Sequence, residues 1–83
     1  MFINKSSDGQ NNLCGVMIEK RRKEMGISQR QLADMLQVAG LDIDKNAIQR
    51  IEARKRFVTD IELVYFSKVL NLSYKELLES SED

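Results

Sequence analysis

One local signature recurs along this sequence and limits what the chain can fold into: a Ser or Thr followed three residues later by Gln or Glu. In such a capping box the hydroxyl accepts from a free backbone N–H at a helix start, and the longer side chain reaches back. Several such starts in a short chain predict several short helices. The pairs are Ser28 with Gln31, Thr59 with Glu62, and Ser73 with Glu76.

The spacing of apolar residues between these starts predicts five helices. A spacing of three or four residues from Leu13 to Met25 predicts a first helix that ends at Gly26. Asp44 is a suitable N-cap for a short third helix, while Gly40 and Asn71 can end the helices before them. No strand-like alternation is longer than the acidic run 41–46. The predicted helices span about 13–25, 28–38, 45–54, 59–70 and 73–79.

Length and flanking composition predict a single domain. A chain of 83 residues buries only about 60–65% of its unfolded surface, which leaves no room for a deep cleft. Residues 1–12 are polar and aperiodic and predict a flexible N-terminal arm, and residues 80–83 predict a frayed acidic C-terminus. The predicted fold class is therefore all-α, with a compact five-helix domain over residues 13–79.

Missing residue types argue against several functions. The chain has no His, no Pro and no Trp, so it lacks imidazole chemistry for catalysis or metal binding. We expect no enzyme activity, no cofactor, no metal and no small-molecule ligand. Cys14, the single cysteine, lies on the apolar stripe of the first helix and predicts a core side chain, with redox sensing as the alternative. Neither a secretory signal nor a membrane-spanning run is evident, which predicts a cytoplasmic protein without a membrane partner.

The net charge is zero, but the charge is unevenly distributed. Residues 13–58 contain ten Lys or Arg and six Asp or Glu, a net of +4. Residues 59–83 contain two and six, a net of −4. A basic face that could meet phosphates is therefore compatible with the neutral total.

The third predicted helix has two chemically distinct faces. At about 100° per residue, Ala47, Ile48 and Ile51 point inward, and the opposite face carries amides, a methyl group and flanking cations. Amides suit adenine edges, Arg and Lys suit guanine or phosphate, and a small Ala lets a helix lie deep in a groove. An ordinary solvated face uses the same residue types, so composition alone does not decide. The predicted base-reading residues are Lys45, Asn46, Gln49, Arg50 and Ala53.

An ordered set of features runs along residues 13–78: Ile18 and Arg22 before the turn Gly26-Ile27-Ser28-Gln29, then Leu32-Ala33, Ile48, Ile51-Glu52, and Leu63, Phe66, Leu70 and Leu72. This set resembles the Cro/repressor-type helix-turn-helix family, also called the xenobiotic-response-element family of bacterial and phage regulators. The segment VAGLDID makes the turn before the third helix longer than is usual there. The resemblance implies a lambda-repressor-like fold and binding to double-stranded DNA.

The resemblance also implies roles for individual side chains. It assigns Gln29 to a phosphate and to bracing the third helix, with a simple helix former as the alternative. It pairs Arg22 with Glu52 as a structural ion pair. The cations that directly follow the third helix favour phosphate contacts, although such a run is often only a solvated loop. The predicted phosphate contacts are Gln29, Arg30, Arg54, Lys55 and Arg56.

Four large side chains near the C-terminus exceed what a small core needs and predict a homodimer patch, with partial burial in the monomer as the alternative. They are Tyr65, Tyr74, Leu77 and Leu78.

The leading hypothesis is a sequence-specific transcriptional regulator, a repressor, that reads the major groove with the third helix. The alternative is a protein-interaction module on the same scaffold, antitoxin-like or anti-repressor, which the neutral charge and acidic C-terminal third favour.

Overall fold

The computed structural model describes residues 9–79. Over that range the backbone forms five α-helices and no strand, which confirms the predicted all-α fold. Residues 1–8 of the predicted arm and the predicted frayed end, 80–83, lie outside the described residues. The helices are α1 (Gly15–Glu24), α2 (Gln29–Ala39), α3 (Lys45–Glu52), α4 (Asp60–Leu70) and α5 (Tyr74–Glu79).

The local sequence sets where α2 to α5 begin. Ser28 Oγ accepts from the Gln31 N–H at 3.0 Å, and Gln31 Oε1 accepts from the Ser28 N–H at 2.7 Å. The same reciprocal pairs form at the starts of α4 and α5, so all three predicted capping boxes are confirmed. Asp44 Oδ1 caps α3 by accepting from the Ala47 N–H at 2.8 Å. These bonds satisfy N–H groups that have no partner within the helix.

The helix ends follow backbone conformations that a right-handed helix cannot continue. Gly40 and Asn71 are left-handed at the ends of α2 and α4, as predicted. The third helix ends at Glu52, two residues before the predicted end, because Arg54 is left-handed with φ 61°. The first helix begins at Gly15 rather than Leu13, with Cys14 as its N-cap, and the Asn12 side chain accepts from the Gly15 N–H.

The core collects apolar side chains from all five helices. α1 packs against α3, α4 and α5, while α2 packs against α3 and α4. Cys14 is buried in this core as predicted, and desolvation raises the pKa of its thiol to about 11. The thiol therefore stays protonated near neutral pH, which disfavours redox sensing. The fully buried large side chains include Ile18, Leu32, Leu36, Ile48, Ile51, Phe66, Leu70 and Leu77.

The burial of Leu77 corrects the predicted dimer patch. Leu77 is fully buried, whereas Tyr74 is 51% and Leu78 36% exposed. Neighbouring residues on a helix point about 100° apart, so α5 can direct only one of its two leucines into the core. Tyr65 is half-buried, with its hydroxyl beside Gly40 at the end of α2. Leu77 is thus a core residue, and the exposed part of the predicted patch is Tyr74 and Leu78.

Candidate nucleic-acid interface

The two faces of α3 are those that its sequence predicts. Ile48 and Ile51 are fully buried against the rest of the domain. The opposite face is solvent-exposed and carries two amides flanked by cations, with a methyl group at its end. This face forms a polar, cation-flanked ridge on the surface. The five exposed residues are Lys45, Asn46, Gln49, Arg50 and Ala53.

The long turn before α3 is anchored at both ends rather than loose. Gly40 allows the chain to reverse, and the Leu41 N–H returns to the Leu36 carbonyl at 2.9 Å. Ile43 is buried in the core, and its carbonyl accepts from Gln37 Nε2 at 2.7 Å. The longer VAGLDID connection therefore presents α3 at a fixed position beside α2.

A buried ion pair ties α3 to α1 and to the turn before α2. Arg22 donates from Nε and Nη2 to the two carboxylate oxygens of Glu52 at 2.7 and 3.0 Å. Its Nη1 donates to the Ile27 carbonyl at 2.9 Å. The hydrogen bond to Glu52 raises the pKa of the Arg22 guanidinium. The structure thus contains the ion pair that the family resemblance implies.

Gln29 adds a third donor to Glu52. Its Nε2 lies 3.0 Å from Glu52 Oε1, so the first residue of α2 braces the end of α3 directly. This contact confirms the bracing part of the predicted role and leaves the phosphate contact as a prediction. Arg30, the next residue of α2, is exposed.

The residues that follow α3, Ala53–Phe57, are called the basic segment below. Its Arg56 forms a bidentate ion pair with Glu62 on α4, with distances of 3.0 and 2.9 Å. Burial opposes the charge on Glu62, but hydrogen bonds from Arg56 and from the Thr59 cap outweigh it and lower the pKa of this carboxyl group. Arg56 is therefore engaged within the domain by a carboxylate that competes with the predicted phosphate contact, which stays a prediction.

Arg54 is likewise engaged within the domain, and its predicted phosphate contact stays a prediction. Its Nε donates to the Asn12 carbonyl at 2.9 Å, and its side chain is part-buried. Lys55, in contrast, is exposed, and its backbone N–H donates to the Arg50 carbonyl at 2.9 Å. Of the predicted phosphate contacts, Arg30 and Lys55 are the exposed cations.

Two asparagines at the end of the predicted arm contact the basic segment, a feature that the sequence did not predict. Asn12 is 9% exposed, and its Nδ2 donates to the Ile51 and Arg56 carbonyls at 3.1 and 2.8 Å. The Asn11 N–H and Nδ2 donate to the Arg54 and Lys55 carbonyls at 3.0 and 2.8 Å. The expectation of a flexible arm is therefore wrong for these two residues. The spacing of Asn12 and Gly15 could have indicated a helix cap, but nothing local indicates the contacts with the basic segment.

Two kinds of site are absent from residues 9–79. No helix there is long and apolar enough to cross a membrane. Within the same range, no three His, Cys, Asp or Glu side chains cluster in a way that could hold a metal ion.

Comparisons with known proteins agree with this geometry. The family profile described as helix-turn-helix (HTH_3) matches residues 18–77. Among solved structures, the chain is similar to the P22 c2 repressor protein, solved in complex with synthetic operator 9T. The two chains are 29% identical with a TM-score of 0.69, over 82% of this chain and 96% of that one. No curated protein sequence matches. Because the profile covers well over half of the sequence, the chain belongs to the helix-turn-helix family, as a regulator of the Cro/repressor type.

Proposed function

We propose that this protein is a sequence-specific DNA-binding regulator, a repressor, that reads the major groove of double-stranded DNA with α3. The observation that carries the proposal is the outward face of α3, which offers amides and cations while Ile48 and Ile51 fix the opposite face in the core. The P22 c2 repressor was solved with an operator, and its likeness to this chain supports the same class of partner. This function requires no enzymatic chemistry.

Each exposed side chain of α3 has a role suited to its chemistry. Asn46 and Gln49 present amides that can both accept and donate, the pattern that adenine offers in the major groove. Lys45 and Arg50 flank these amides and suit guanine or phosphate oxygens. Ala53 keeps the end of the helix narrow enough for close approach to the bases.

Phosphate contacts fix the register of α3 without reading sequence. Gln29 and Arg30 lie in the first turn of α2, where the helix dipole favours a phosphate. Lys55 extends the contacts past the end of α3. The described acidic residues of the C-terminal third lie on α4 and α5, and one of them, Glu62, pairs with Arg56 of the basic segment. The proposed phosphate contacts of the cations therefore rest on the exposed Arg30 and Lys55.

A homodimer completes the proposal, because one recognition helix reads only a few base pairs. A two-fold dimer doubles the readout and spaces the two α3 helices by about 34–36 Å along the duplex. The exposed residues Tyr74 and Leu78 form the dimer patch, with the half-buried Tyr65 as a neighbouring candidate. Sedimentation of the wild type against Leu78→Glu tests this patch, with Lys75→Glu on the same helix as the charge control. A variant Leu78→Glu that dimerises like the wild type would rule the patch out.

The experiment that tests the DNA-binding proposal is selection of bound sequences from random duplex DNA. Base reading by α3 predicts an enriched motif with two related half-sites. Recovery of unenriched, salt-sensitive background only would contradict sequence-specific binding.

One observation favours a second function, docking of another protein. A hollow of about 390 Å³ lies between α2 and α4, lined by Asp34, Met35, Val38 and Val69. Val38 is 90% exposed there and adjoins the apolar side chains of Met35 and Val69 in the lining. If selection gives no motif, the protein-interaction alternative becomes the better explanation, and this hollow is where its partner would bind.

A further inference from the structure

Residues that precede α1 hold the basic segment in place. The last carbonyls of a helix lack partners within it, so the chain after α3 needs other donors. Two adjacent asparagines, Asn11 and Asn12, supply them. Their four hydrogen bonds reach the carbonyl oxygens of Ile51, Arg54, Lys55 and Arg56.

The backbone of the basic segment needs this support. Arg54 is left-handed at φ 61°, a conformation that residues other than glycine rarely adopt and that persists only where the surroundings hold it. Arg54 Nε returns a hydrogen bond to the Asn12 carbonyl at 2.9 Å, so the two segments hold each other in both directions. The path of the chain after α3 thus depends on residues about forty positions earlier in the sequence.

These contacts converge on Lys55. Its carbonyl accepts from Asn11, the next carbonyl accepts from Asn12, and its own N–H donates to Arg50 on α3. Lys55 is exposed, whereas Arg56 is held by Glu62. The backbone of Lys55 is therefore fixed relative to α3, while its ammonium group remains available to a partner.

Resting on the DNA binding proposed above, we propose that Asn12 is a positioning residue for DNA binding. Together with Asn11, it fixes the backbone on both sides of Lys55 and so sets the point at which the Lys55 ammonium meets a phosphate. Asn12 itself touches no DNA. Its loss weakens binding on all sequences alike, because a phosphate contact carries no base preference.

A variant can separate this role from simple support of the fold. Asn12 also supports the start of α1, since its Oδ1 accepts from the Gly15 N–H at 2.9 Å. Asn12→Ser is expected to keep this bond, because a Ser hydroxyl, like the Asn side chain, accepts from a backbone N–H at a helix start, but the short hydroxyl cannot reach the Ile51 and Arg56 carbonyls. Ser73→Ala is the matched control, since it removes the cap of α5, which packs on α1 and α4.

The test measures binding to a random-sequence duplex by fluorescence anisotropy across a salt series, at a temperature where circular dichroism shows every variant folded. One lost phosphate contact lowers the slope of log K against log salt by about 0.9, which corresponds to about eightfold weaker binding at about 0.1 M salt. Lys55→Ala should show this full effect. Asn12→Ser should also lower the salt slope and weaken binding. The double variant should bind no more weakly than Lys55→Ala, because both changes remove the same contact. Ser73→Ala should bind like the wild type.

Several results would overturn the inference. If the wild type binds no duplex, the proposed function fails and the inference fails with it. If Lys55→Ala weakens binding and Asn12→Ser does not, the function stands and only the inference fails. The inference would also be overturned if the losses of affinity multiply in the double variant or if Lys55→Ala has no effect on binding. It would be overturned as well if Ser73→Ala weakens binding as much as Asn12→Ser does. Should Asn12→Ser not fold, Asn11→Ala removes only the side-chain bond to the Lys55 carbonyl and is judged by the same pattern.

Discussion

The buried pair of Arg22 and Glu52 offers a sharp test of how α3 is held. The Glu52 side chain is 2% exposed and accepts three hydrogen bonds, two from Arg22 and one from Gln29. Arg22→Ala removes two of these donors and leaves a buried carboxylate with one neutral amide. Breaking a buried ion pair on one side costs about 3–5 kcal/mol. A domain of this size has a total stability of only about 4–12 kcal/mol, so the loss would be large.

The assay is thermal and urea unfolding followed by circular dichroism. A loss of about 3 kcal/mol or more lowers Tm by at least about 12 °C in a domain of this size. The double change Arg22→Met with Glu52→Leu should recover much of the loss, because no charge then remains buried. Lys23→Ala is the control on the same helix, since its exposed pair with Glu19, at 3.6 Å, is worth less than about 1 kcal/mol. The buried, charge-paired state of Glu52 would be contradicted if Arg22→Ala stays within about 1 kcal/mol of the wild type, or if the double variant is as unstable as the single one.

Three further predictions concern the interface and its supports. Asn46→Ala and Gln49→Ala should each weaken binding to a selected duplex by about 1–3 kcal/mol without changing the unfolding curve; an equal loss on random DNA would contradict base reading. Arg56→Ala should leave the salt slope of DNA binding unchanged and lower stability at pH 7 by about 1 kcal/mol. Because the pKa of Glu62 is lowered in the folded state, its stabilisation is present above its unfolded pKa of about 4.3 and is lost as the pH falls through the folded pKa. Unfolding across pH should therefore show a shallower acid decline in Arg56→Ala, and an unchanged decline would refute the pairing. Gly15→Ala should lower the free energy of unfolding measured in urea by about 1–3 kcal/mol, since a Cβ there would overlap the Ile51 carbonyl oxygen. If the variant is as stable as the wild type, this close approach of α1 to the end of α3 is contradicted.

Features carried by residues near in sequence were predictable, for a physical reason. A capping box is formed by a residue and its neighbour three positions later, so the starts of α2, α4 and α5 could be predicted without the tertiary fold. The inward and outward faces of α3 follow from helical periodicity alone. The pairing of Arg22 and Glu52 came from the family resemblance rather than from spacing, since thirty residues separate them.

Features that depend on tertiary packing were not predictable. The contacts of Asn11 and Asn12 join residues 39 to 44 positions apart, and two asparagines in a polar stretch look like an unstructured arm. The pairing of Arg56 with Glu62 depends on the turn between α3 and α4, which brings the two side chains together. Leu77 and Leu78 are adjacent leucines on a helix of six residues, and a helix this short does not have enough periodicity to show which one faces the core.

The central claim, that α3 reads bases, is tested most directly by repeating the random-duplex selection with wild type and Gln49→Ala side by side. Base reading by a dimer predicts a motif with two related half-sites for the wild type. In the Gln49→Ala selection the same motif should persist with its preference lost at one position in each half-site, because only the contact from that amide is missing. Identical motifs from the two proteins would contradict the assignment of Gln49, and a wild type that enriches no motif would contradict base reading by α3 altogether.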